Sequence, residues 1–147
     1  MKKIIAVALA VTGLGIAAAV ADVHEDREGL MKQNGGALKA LSAAAAATPF
    51  DAAAAKAPAQ TLIDNAAKMP ALFGPDTQPD AEALPTVWSD QVGFKAAAAK
   101  LGTDAAALQA ATDQASFAVA LKTVQGDCGG CHTTYRAKPA PKPAPAQ

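Results

Sequence analysis

Alanine occupies 41 of the 147 positions, and no other feature narrows the fold so strongly. It has the best intrinsic helix propensity, because it loses no side-chain entropy and buries no polar group. Strands would draw on β-branched and aromatic residues, yet aromatics make up only 4% of the chain: four Phe, one Trp and one Tyr. The sequence therefore predicts an all-α protein, and its length suits one domain with a modest core. Alanine also fills little volume. A core made largely of it calls for apolar bulk from elsewhere.

The first residues stand apart from that domain. Lys2 and Lys3 precede an uncharged run from Ile4 to Val20, which closes on Ala19-Val20-Ala21 before charge returns at Asp22, Glu25, Asp26 and Arg27. This layout is that of a secretory signal peptide, residues 1–21, cleaved after Ala21. The competing reading is a permanent anchor, but the run is about the minimum for a span and contains Gly13 and Gly15. Cleavage predicts a periplasmic protein with no stable membrane span. Loss of the two lysines leaves 11 basic against 13 acidic residues, which offers no basic footprint for nucleic acid.

Residues 22–136 read as four helical segments. The first runs from about 24 to 47, with Leu30, Met31, Leu38 and Leu41 at three-and-four spacing. Thr48-Pro49-Phe50-Asp51 predicts a helix start, with Thr48 capping, Pro49 in the first helical position and Asp51 at the positive end of the dipole. This second segment continues to about Lys68, and Pro58 should kink or restart it. Four prolines and Gly74 make residues 70–85 a long connection. A third segment runs from Pro85 through Trp88, Phe94, Leu101 and Leu108 to about Ala111, and a fourth from about 113 to 136. One long and two short connections predict an antiparallel four-helix bundle. Residues 137–147, rich in Pro, Ala and Lys, predict a disordered, extended tail.

The only two cysteines lie on the last segment, in Cys128-Gly129-Gly130-Cys131-His132. C-x-x-C-H is the attachment signature of c-type haem. On a helix, positions i, i+3 and i+4 share a face, so two thiols can meet the two vinyl groups of one porphyrin while the histidine points at its iron. A thioredoxin-like pair would need a βαβ context. A disulfide between residues three apart would be strained and close almost no loop. A zinc site would have to recruit the distant His24. One covalent haem c is the reading that fits, and an exported chain suits it.

The position of the motif also restricts the sixth ligand of the iron. No Met or His follows His132, so any second ligand lies upstream: His24, Met31 or Met69. His24 sits beside the new terminus and Met69 directly precedes Pro70. Met31 shares an apolar stripe with Leu38, where methionine is commonly core filler. The residues alone leave Met31 ligation and an open site about even. A haem peroxidase would need a distal acid–base set, for which His24 is too terminal, so an enzyme is not expected.

Taken in order, these motifs resemble the class II cytochromes c, the cytochrome c′ family of four-helix bundles. Cys128 to Arg136 is similar to the family's closing C-x-x-C-H-x-x-aromatic-basic motif, Arg27 to Lys32 to its first-helix motif, and Trp88 with Phe94 to its third-helix pattern. The resemblance implies thioethers at Cys128 and Cys131, a proximal ligand at His132, a positive charge near the proximal pocket at Arg136, a propionate neighbour at Arg27, and Met31 at the distal position. The stretch from Leu30 to Gly35 looks most like the low-spin branch, in which a first-helix Met binds iron and the protein carries electrons. The alternative is a five-coordinate haem that takes NO or CO at a vacant distal site. A redox protein is the implied partner, and pairing of two copies through the first helix is common in the family.

Overall fold

The computed structural model describes residues 15–77 and 79–138, with only the backbone for 15–22. The expected leader, up to residue 14, and the tail from residue 139 lie outside the described residues. The chain forms helices α1 (Gly15–Ala46), α2 (Ala52–Leu72), α3 (Thr86–Ser89), α4 (Gln91–Ala110) and α5 (Gln114–Tyr135). Among the described residues the sole extended pairing is a single bridge between Ala83 and Arg136. α1, α2, α4 and α5 form the four-helix bundle, and α3 is one turn in the long connection. No helix among the described residues is long and apolar enough to cross a membrane.

α1 begins at Gly15 and not near residue 24. Three further boundaries differ from the sequence reading, each for a local reason. Asp51, not Thr48, caps α2: its backbone is extended and its carboxylate accepts the Ala53 N–H at 2.8 Å, while Pro49 lies before the helix. α2 then continues as one helix past Pro58 and Pro70 to Leu72, without a restart at Pro58. A buried stripe of Ala55, Ala59, Leu62, Ala66 and Met69 holds it, and that burial outweighs the backbone hydrogen bonds the prolines cannot donate. The third segment is broken at Asp90, which leaves the helical region (φ −121°, ψ 60°) to cap α4 through the Gly93 N–H at 2.9 Å. The Asp90 carboxylate also accepts the Tyr135 hydroxyl at 2.8 Å. A Cβ at position 93 would strike both groups, so glycine there leaves room for their pairing. Asp113 caps α5 as its position at the segment start suggests, accepting from Ala115 and Ser116.

The end holding the α1–α2 and α4–α5 connections is closed by large apolar side chains. Leu41, Leu62, Leu108 and Phe117 are fully buried there, with Ala59 and Ala105 between them. The Phe50 and Phe117 rings sit 5.1 Å apart. Toward the other end α1 and α5 separate, and their mutual contact is the slimmest between neighbouring bundle helices.

Candidate functional site

Where α1 and α5 part, a cavity of about 460 Å³ opens, lined mainly by apolar side chains. That volume is within the range of sites that enclose a small organic group. α5 contributes Cys128, Cys131 and His132 to one wall, as the helical spacing requires. α1 contributes Met31 and Leu38 to another, and Phe94, Ala97 and Leu101 of α4 form the floor.

Both thiols are half-buried and free of any disulfide. Burial pushes each above the ordinary cysteine value, with the Asp127 charge adding to the effect at Cys128. Thiols in that state are not poised as thiolates, which weighs against a dithiol redox pair. His132 is exposed at the cavity mouth, and desolvation followed by the Arg136 charge holds its imidazole below the usual value. A neutral imidazole is the form that binds a metal. No group of three or more His, Cys, Asp or Glu that could hold a metal ion occurs among the described residues.

The upstream candidates separate clearly. Met31 is half-buried and packs against the core while lining the cavity. Met69 is a buried wall residue within α2. His24 is exposed at the rim, with Nδ1 3.7 Å from Asp80 Oδ2. Arg27 is buried, not a solvated surface residue. Its Nε donates to the Leu72 carbonyl at 2.9 Å and its Nη1 to Asp80 Oδ2 at 2.6 Å. Its guanidinium lies 4.8 Å from the centre of the Phe73 ring and 5.4 Å from that of Trp88.

Several wall residues escaped the sequence reading. Asp127, directly before Cys128, turns one oxygen to Lys100 at 2.7 Å, while Lys100 also holds Asp104. Tyr135 stands edge-on to Phe94 at 5.3 Å and closes the cavity beneath the last turn of α5. Asp80 sits in the proline-rich connection, where an Asp two residues before the Glu82 N–H is the one local signal of a turn. Only Ala83, Ala97 and Ala98 line the cavity, whereas Ala44, Ala55, Ala59, Ala66 and Ala105 let helices approach closely elsewhere in the core.

The donor set fits a covalently attached haem: two thiols and an imidazole on one helix face, and a thioether on another helix, around one apolar space. Comparison with known proteins agrees. Residues 22–136 match the family described as Cytochrome C′. A cytochrome c-556 of Agrobacterium fabrum is 50% identical over 117 residues, covering 78% of this chain and 80% of its own. The solved structure of cytochrome c′ from Rhodopseudomonas palustris aligns with a TM-score of 0.70 at 36% identity, covering 81% of this chain and 98% of its own. A nitric oxide complex of a cytochrome c prime variant from Alcaligenes xylosoxidans aligns with a TM-score of 0.72 at 28% identity, covering 81% and 97%. Proteins of this family bind one covalent haem c, and this chain has two cysteines to hold it. The chain belongs to the cytochrome c′ family of c-type cytochromes.

Proposed function

We propose that this protein is an exported, periplasmic electron carrier whose haem is held by thioethers at Cys128 and Cys131, with His132 as proximal and Met31 as distal ligand. The observation that carries this reading is the placement of Met31 and His132 on different helices lining one apolar cavity. When bound, the haem supplies a one-electron iron couple. Met31 brings a soft thioether, which favours the reduced iron, and His132 brings a neutral imidazole. Arg27 would supply positive charge for a propionate, and desolvation together with the Arg136 charge favours the neutral form of His132. Phe94, Leu38 and Leu101 exclude water, which favours electron exchange over side reactions. Naming of the similar Agrobacterium protein as cytochrome c-556 favours the same branch.

A second reading is a five-coordinate haem that binds NO or CO, with Met31 beside the iron. The structural similarity to a protein solved with nitric oxide supports it. The absorption spectrum of the holoprotein separates the two. A six-coordinate low-spin spectrum whose methionine-to-iron band vanishes in Met31→Ala is expected for the carrier. A high-spin ferrous wild type that takes up CO rapidly would overturn Met31 ligation.

A further inference from the structure

The connection between α2 and α4 crosses the open end of the bundle as a strap between the helix bearing Met31 and the helix bearing His132. Asp80 is central to the join, beside Trp88, whose ring centre lies 5.4 Å from the Arg27 guanidinium. Its Oδ2 accepts the Arg27 Nη1 hydrogen bond at 2.6 Å, which ties it to α1. Its Oδ1 accepts the N–H groups of Glu82 at 2.9 Å and Ala83 at 3.0 Å, which fixes the turn that follows. That turn is stitched to the end of α5. The Leu84 N–H donates to the Tyr135 carbonyl and the Ala137 N–H to the Glu82 carbonyl, each at 2.9 Å, and the Thr86 hydroxyl donates to the Thr134 carbonyl at 2.7 Å. The Asp80 side chain is 14% exposed and that of Arg27 5%, so their ion pair is shielded from solvent and salt.

The placement is symmetric about the cavity. Arg27 lies four residues before Met31 and Arg136 four residues after His132, so the strap grips each helix about one turn from its axial residue. α1 and α5 touch each other least among the neighbouring bundle helices, so the strap carries much of their spacing at this end.

We propose that Asp80 is a positioning residue: through the strap it sets how closely the Met31 helix stands over the haem, and so controls access to the distal side of the iron. The inference rests on the reading that the haem lies between Met31 and His132. Loss of a charge-assisted hydrogen bond of this kind corresponds to about a tenfold change in an equilibrium constant.

The test uses ferrous holoprotein, wild type against Asp80→Asn, with CO association followed by stopped flow and the methionine-to-iron band recorded in the oxidised form. CO association is expected to rise about tenfold in Asp80→Asn, with weakening of that band. An unchanged rate, even with a lower melting temperature, would overturn the positioning role and leave Asp80 a purely structural residue. If the wild type itself lacks the band, Met31 ligation fails separately, and the CO rate ratio still decides the role of Asp80. Thr86→Val loosens the strap from α5 without touching a charge. A rise of about threefold is expected there, and no rise would overturn the proposal even if Asp80→Asn does not accumulate.

Discussion

The two ends of the bundle are built on opposite plans. At the connected end, Leu41, Leu62, Leu108 and Phe117 are fully buried with alanines between them, and the helices close on one another. At the open end the same helices surround a cavity of about 460 Å³, and polar and aromatic contacts hold its rim: Arg27 with Asp80, Tyr135 with Asp90, Phe73 with Phe94. The first end is filled by protein side chains. On the proposed reading, the haem would supply the apolar mass of the second. Alanine therefore works chiefly as a residue of close helix approach, and the space for the cofactor comes from the separation of α1 and α5.

Substitutions at the two ends should accordingly part stability from spectrum. The largest expected effect is Phe117→Ala, which empties a fully buried aromatic site and should cost about 3–5 kcal/mol in denaturant unfolding. The absorption spectrum of the folded holoprotein should stay unchanged. A shifted spectrum would mean the two ends are mechanically coupled. At the open end, Gly93→Ala drives a methyl into the Asp90 carboxylate and the Tyr135 hydroxyl. Its expected cost is about 1–3 kcal/mol, and here the spectrum should move, because Tyr135 closes the cavity beneath α5.

Acid offers a gentler probe of the same end. Burial raises the Asp80 carboxyl, but the Arg27 hydrogen bond and the backbone N–H groups of Glu82 and Ala83 outweigh it and hold it below the ordinary value near 3.8. Its stabilising effect is thus present above that value and is lost as pH falls through the lower folded value. Acid titration of wild type against Asp80→Asn should show the difference in stability disappearing at the acid end. A difference independent of pH would remove Asp80 as its source. The smallest effect expected is at Gly129 and Gly130, which lie in α5 with open space around them and no positive φ. Each Gly→Ala change should stabilise by about 0.5–1 kcal/mol in thermal unfolding, provided haem attachment is unaffected.

Much of this plan is visible in the sequence, and the exceptions share a cause. The helices, the Asp113 start of α5 and the facing positions of Cys128, Cys131 and His132 follow from spacing within one segment. The break at Asp90 does not, because it depends on Tyr135, 45 residues away. Passage of α2 through Pro58 and Pro70 depends on the stripe it buries against α1 and α4. Asp80 carries almost no local signal, since its partner Arg27 is 53 residues distant. Met31 is intermediate: its stripe is readable, but only the fold places it on a cavity wall with His132. Contacts close in sequence were legible, and those made by chain return were not.

The most direct test of the two-ended plan is amide hydrogen exchange on the holoprotein and on a Cys128→Ala/Cys131→Ala chain prepared without haem. Protection should persist in the haem-free chain around Leu41, Leu62, Leu108 and Phe117, and collapse around Met31, Phe94 and Cys128. Equal protection of both ends without haem, or equal loss from both, would contradict the division of the bundle into a self-sufficient end and a haem-completed one.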